Sequence, residues 1–169
     1  MAVLPLVYYP DKRLSTPTQT VTQFDEKLKK IIQDMWDSHY AQTNCAALAA
    51  NQLGIPWSIT VIDFSPDKDQ PLCLINPKII EYSDTTTNER EGCMSVPGSI
   101  GSAVKRASHI TVEYQNDAGE KQTLEADGFL AKCIQHEVDH LNGVIYLDHL
   151  SSLRRKMLEK KYFKKRKRS

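Results

Sequence analysis

The sequence predicts an α+β fold: mixed, mainly antiparallel short sheets packed around a central helix, with a C-terminal helix closing the chain. Three observations lead there. Two segments carry the apolar spacing of an amphipathic helix. Short β-branched or alternating runs lie between them. These elements do not follow the βαβα order that builds a parallel sheet. With 169 residues, 40% of them hydrophobic and 25% charged, the chain can bury one core without disulfide support.

The first expected helix covers about residues 25–42, where Leu28, Ile31, Ile32, Met35, Trp36 and Tyr40 form one apolar stripe. Thr22 is its expected cap, with Asp25 three residues on. Trp57–Phe64 and Leu72–Ile75 read as strands, followed by a turn at Asn76-Pro77 and a short strand over Lys78–Tyr82. Residues 83–92 are polar and read as a loop. Ile110–Gln115 and Gln122–Ala126 alternate around a Gly119-containing turn, which is a hairpin pattern. The second helix runs from Phe129 to Leu141, with Asp127 as expected N-cap and Gly143 beyond its end. Val144–Leu147 reads as a strand, and a last helix starts near Ser151.

Composition removes several classes. No apolar run approaches the roughly 18 residues a membrane span needs. The first ten residues are broken by Pro5 and Pro10 and do not resemble a signal peptide, so a cytoplasmic location is expected. Four cysteines without an export signal point to free thiols or metal ligands in a reducing compartment. Net charge is +1, yet residues 154–169 carry +9 and the rest of the chain −8. The acidic body disfavours general nucleic-acid binding, while the basic tail suits a polyanion or simply a solvated helix end.

His136-Glu137-Val138-Asp139-His140 is an H-E-x-x-H run on the second helix. Two His four residues apart share one helical face and can hold one divalent ion, with Glu137 placed to act as a general base. A third protein ligand is required. A metzincin would need His at Tyr146, so that pattern fails. Glu159 stands near the spacing of a thermolysin-type metallopeptidase, but inside a run of Lys and Arg. Cys93, freed by Gly92, is the third candidate, and spacing alone does not separate it from Cys133.

Three further stretches carry a family resemblance. Glu91-Gly92-Cys93-Met94-Ser95, Gln135-His136-Glu137-Val138-Asp139-His140 and Leu48-Ala49-Ala50-Asn51-Gln52 resemble, in order and spacing, the motifs of peptide deformylases. Tyr9-Pro10-Asp11-Lys12-Arg13-Leu14 is similar to that family's N-terminal segment. The resemblance implies Cys93, His136 and His140 as metal ligands and Glu137 as catalytic acid/base. It implies Gln52 and the backbone N–H of Met94 as oxyanion stabilisers. The implied metal is Fe(II), with zinc, nickel or cobalt able to replace it. The implied reaction is hydrolysis of the N-formyl group from the initiator methionine of nascent peptides. Residues 1–150 would then form the catalytic domain and 151–169 a basic helix or tail. In some bacterial members a C-terminal helix docks on the ribosome, so Arg154–Ser169 is the segment expected to meet it.

The chain departs from the family pattern at three places. Cys45 and Ala47 stand where glycines are usual, and a positive φ at Ala47 would make its methyl costly, although its N–H could still bond substrate. Phe129, Lys132 and Cys133 fall on the His136 side of the helix and are expected to line the substrate pocket. Lys132 replaces an apolar residue; it should reach outward or pair with an acid such as Glu89, making the pocket more polar and selectivity for formyl-methionine relaxed or redirected. Glu91 is expected to tether its loop by an ion pair, with Arg106 and Lys105 as examples of a partner that the sequence does not identify, and Asp139 reads as a solvated helix acid in preference to a residue that orients a ligand. Cys133, Cys45 and Cys73 read as buried thiols, and His39, His109 and His149 as structural or exposed. Besides the thermolysin-type reading, a catalytically weak or altered-specificity relative acting as a ribosome-associated module also remains open.

Overall fold

The computed structural model describes residues 2–167, apart from the side chains of residues 99 and 100. Arg168 and Ser169, the end of the expected basic tail, lie outside the described residues, as does Met1. Three helices and seven strands follow the order α1 (Glu26–Ala41), β1 (Ala47–Ala49), β2 (Ile59–Ile62), β3 (Leu72–Tyr82), β4 (Thr86–Cys93), β5 (Val96–Ala107), β6 (His109–Gln115), β7 (Lys121–Asp127), α2 (Gly128–Leu141) and α3 (Ser152–Lys167). A five-stranded sheet has the order β1-β2-β3-β6-β7, and β4-β5 form a separate two-stranded sheet. Every named pairing is antiparallel. The central helix α2 packs against strands of both sheets. The α+β arrangement expected from the sequence is therefore the one observed.

α1 forms where its apolar stripe required, with Leu28 and Met35 buried. Its cap is Asp25, whose Oδ1 accepts from Leu28 N–H at 3.0 Å, rather than Thr22. β2 is buried along its whole length, as its β-branched run suggests. The β6–β7 hairpin closes through Asn116–Glu120, with Gly119 at φ +82.

Other expectations fail for local reasons. No turn forms at Asn76-Pro77; β3 continues through it with a bulge between Ile75 and Lys78. Pro77 has no N–H for the ladder, and Asn76 takes φ +52 to absorb the break. The Asn76 side chain accepts from Val21 N–H at 2.8 Å and donates to the Val21 carbonyl and to Gln115 Oε1. The loop expected over 83–92 is largely β4, paired along β5. Val144–Leu147 is not a strand: Tyr146–His149 form a 3-10 turn, with Asp148 accepting from Ile145 N–H at 2.9 Å. Asp127 occupies the N-cap position of α2 but its side chain makes no capping bond; it faces His109 at 3.8 Å.

α2 ends at Gly143, whose φ of +79 turns the chain away. A Cβ there would sit 2.7 Å from the Ser15 carbonyl oxygen, so the segment that enters before α1 can lie against the end of α2 only because the position is glycine. α3 is anchored by Tyr162, 1% exposed among Val7, Leu14, Val96, Val104 and Tyr146. The Tyr162 hydroxyl donates to the Tyr9 carbonyl at 2.7 Å.

Candidate metal centre

β4 ends at Cys93, and the tight turn Met94-Ser95 returns the chain as β5, with Cys93 opposite Val96. The register jumps from Gly92–Gly101 to Cys93–Val96, which leaves residues 97–100 bulged from the ribbon. The ribbon can approach closely at this point because Gly101 has no side chain; a Cβ would lie 2.6 Å from the Glu91 carbonyl oxygen. Met94 occupies the first turn position, so its backbone N–H lies next to the Cys93 thiol along the chain.

α2 presents His136 and His140 to that thiol. Cys93 Sγ is 3.2 Å from His140 Nε2, which is 3.1 Å from His136 Nε2. Among the described residues, this is the group whose ligand atoms converge, all within 4.8 Å of one another. An ion with nitrogen ligands at about 2.0–2.1 Å and sulfur at about 2.3 Å places tetrahedral donors roughly 3.4 Å apart. The two separations at His140 Nε2 are close to that spacing, and one thiolate with two imidazoles suits a borderline divalent metal. Cys133 is outside the cluster, with burial pushing its thiol up to about 12. Glu159 is on α3, bonded by Arg155 at 2.7 Å, and is likewise outside it.

The imidazole and thiol groups of this cluster are held by buried polar partners. His136 Nδ1 donates to Glu91 Oε1 at 2.9 Å, which leaves its Nε2 for the centre. Glu91 in turn receives two bonds from Arg106, at 2.8 and 2.9 Å. Burial works against the Glu91 charge, but Arg106 and His136 outweigh it and hold the carboxyl down at about 2. Of the two example partners for Glu91, the structure therefore pairs it with Arg106. Of the two readings of Asp139, the solvated acid fails: its Oδ2 accepts from Arg106 Nη1 at 2.6 Å and lies 2.8 Å from His149 Nε2. Arg106 is charged and almost fully buried, so it draws both carboxylates toward itself.

Gln52 and Asn51 come from a 3-10 turn, Ala50–Leu53, directly after β1. Ala49 N–H donates to Gln52 Oε1 at 2.9 Å, which fixes the amide so that its NH2 faces Ser95 Oγ at 3.1 Å and Cys93 Sγ at 3.5 Å. Asn51 donates to the carbonyl of His140, tying the turn to α2 at a residue of the cluster. Neither the Asn51 tie nor the Ser95 contact has a local sequence pattern; both depend on which segments meet in space.

Glu137 is buried, and its Oε2 has no hydrogen-bond partner. Burial pushes its carboxyl up to about 7, with Glu91 adding to the rise and His136 opposing it. Burial and the neighbouring His136 push His140 well below the usual histidine value. His136 is driven up by Cys93 and Glu91 against its own burial. Such a carboxyl can exchange a proton near neutral pH.

A cavity of about 530 Å³ opens beside these groups. Ala47, Gln52, Cys93, Met94, Phe129, Lys132, Cys133, His136 and Glu137 all border it, so the structure brings the sequence-derived candidates, except the buried His140, to one space. Ala47 lies in β1 and is not among the residues with positive φ, so its methyl imposes no backbone strain. Lys132 Nζ lies 3.4 Å from Glu89 Oε2 and 3.2 Å from the Arg90 carbonyl oxygen, as the expected pairing with Glu89 required.

The family model described as polypeptide deformylase matches residues 3–156. The chain is 55% identical over 163 residues to peptide deformylase 1 of Coxiella burnetii, covering 95% of each. It is 44% identical to the peptide deformylase of Neisseria gonorrhoeae, covering 99% of this chain and 98% of the relative. The crystal structure of a peptide deformylase from Legionella pneumophila superposes with a TM-score of 0.92 at 37% identity, covering 98% and 96% of the two chains. That of Ehrlichia chaffeensis peptide deformylase in complex with actinonin gives 0.90 at 37% identity, covering 98% of both.

Proposed function

The chain belongs to the polypeptide deformylase family, and from that premise we propose that Cys93, His136 and His140 hold its metal ion while Glu137 moves the proton. The enzyme is a metal-dependent hydrolase that removes the N-formyl group from the N-terminal methionine of nascent polypeptides, releasing formate. The observation that supports the assignment of residues is the convergence of the three donor atoms beside a buried carboxyl with an unpartnered oxygen.

A divalent ion held by Cys93, His136 and His140 would supply Lewis acidity, to activate water and polarise the formyl carbonyl. Glu137 takes a proton from the attacking water as oxygen adds to the formyl carbon. It returns that proton to the amine nitrogen as the C–N bond breaks, so formate and a free amino terminus leave. The Gln52 NH2, held by Ala49, donates to the oxygen on which negative charge develops, and the Met94 N–H is the second donor. Ala47, Phe129, Lys132 and Cys133 line the remaining substrate wall, with the Ala47 N–H as a backbone donor to substrate. Glu91 keeps His136 in the tautomer that offers Nε2.

The donor set suits Fe(II), with Zn, Ni or Co able to substitute. A cytoplasmic site of action accords with this substrate, and no helix among the described residues is long and apolar enough to cross a membrane. The exposed lysines of α3, with Lys156, Lys160, Lys161 and Lys164 among them, would meet ribosomal RNA phosphates. Replacing these four by Gln should weaken ribosome binding and flatten its salt dependence, with Tyr162 left in place; unchanged affinity would remove that partner.

The direct test is formate release from a formyl-methionyl peptide, with metal analysis, in the parent protein and Glu137→Ala. Activity should fall by about 10²–10⁴-fold while metal is retained. Metal without turnover in the parent protein would instead favour the catalytically weak module.

A further inference from the structure

The cavity is not apolar throughout, and its wall along α2 ends in a charge. Phe129, Lys132 and Cys133 border it together with His136 and Glu137. Lys132 lies one helical turn before His136, about 6 Å along the axis. In a formyl-methionine, the sulfur is five bonds from the formyl carbon, a reach of about 6 Å when extended. With the formyl carbon beside Glu137 and Gln52, a first side chain laid along α2 ends at Lys132.

The Lys132 side chain is 16% exposed, and its ammonium sits 5.1 Å from the centre of the Phe129 ring. Its carboxylate partner, Glu89, is 58% exposed and stands at 3.4 Å, a long and solvent-screened pair. A thioether brought against this ammonium removes water and offers only a weak acceptor. A side chain ending in a strong acceptor replaces that water with a charge-assisted hydrogen bond.

We propose that Lys132 is a specificity-determining residue that favours N-formyl peptides whose first side chain ends in a hydrogen-bond acceptor, the sulfoxide of an oxidised initiator methionine being the natural case. Oxidation makes that side chain polar without lengthening it past Lys132. Phe129 and the lysine stem still pack against its methylenes. The proposal rests on the deformylase reading of the same site.

The test compares kcat/KM for formate release from three peptides of one sequence, beginning with formyl-methionine, formyl-methionine sulfoxide or formyl-norleucine. It uses the parent protein, Lys132→Met and Glu89→Gln. The sulfoxide-to-norleucine ratio should be about tenfold higher in the parent than in Lys132→Met, the size of one charge-assisted hydrogen bond. Glu89→Gln, which removes the competing carboxylate and leaves the Arg90 carbonyl at 3.2 Å, should raise the ratio further and decides the matter alone if Lys132→Met does not fold. Equal ratios in the parent and the variants, with all three peptides hydrolysed, overturn the proposal and leave the deformylase reading intact. Hydrolysis of none of the peptides by the metal-loaded parent overturns both.

Discussion

His136 Nδ1 donates to Glu91 Oε1 at 2.9 Å, so the ring nitrogen turned toward the Cys93–His140 pair is chosen by a residue two positions before the cysteine. The motif that supplies the thiol therefore also orients the imidazole. Glu91→Gln should weaken metal binding by about 10–100-fold. Chelator competition on the purified protein measures this, and unchanged affinity would show that Glu91 does not orient the ligand.

Arg106 is the buried cation that holds Glu91 and Asp139 at once. Arg106→Ala leaves Glu91 buried without its main partner and should destabilise the fold by about 3–5 kcal/mol in denaturant unfolding. Asp139→Asn should cost less, because Asp139 is more exposed than Glu91 and Glu91 still pairs with Arg106. Equal losses for the two variants would contradict this order.

Asp63 gives a pH-dependent case away from the centre. Burial raises its carboxyl, but bonds from the Ser65 and Tyr40 hydroxyls outweigh that and lower it from 3.8. The Tyr40 hydroxyl donates to Asp63 Oδ2 at 2.7 Å. A depressed folded pKa stabilises above the unfolded value and is lost as pH falls through the folded one. Tyr40→Phe should therefore cost about 1 kcal/mol near pH 7, shrinking below pH 4, in unfolding curves taken across that range. A cost that grows on acidification would reverse the sign.

Asn76 combines a left-handed backbone with three side-chain hydrogen bonds across to Val21 and Gln115. Asn76→Gly keeps the conformation and loses the bonds; Asn76→Ala loses both. Thermal or denaturant unfolding should rank Asn76→Ala as the more damaging, by about 1 kcal/mol. The reverse rank would mean that the φ at this position is not costly.

What the sequence disclosed follows from where each signal lives. α1, α2 and the β6–β7 hairpin write their burial into periodic residues, so their places are readable from Leu28 to Met35 and from Ile110 to Ala126. The β4–β5 ribbon is largely exposed along β4, so Thr86–Cys93 carries no apolar alternation and reads as loop. His136, Glu137 and His140 share one helix and are visible by spacing. Spacing does not separate Cys93 from Cys133; the motif around Cys93 does so by resemblance, and the ribbon's register gives the physical reason. Asp139 looks solvated on its own helix because Arg106 and His149, which engage it, arrive from β5 and the turn after α2.

The roles proposed for Glu137 and Gln52 depend on one cation held by groups from two motifs. Its most direct test is metal stoichiometry and dissociation constant for Cys93→Ala beside Cys133→Ala. Cys93→Ala should lose bound metal or hold it far more weakly, while Cys133→Ala keeps the parent affinity. Parent-like binding by Cys93→Ala would contradict the coordination described and the role given to Glu137 beside it.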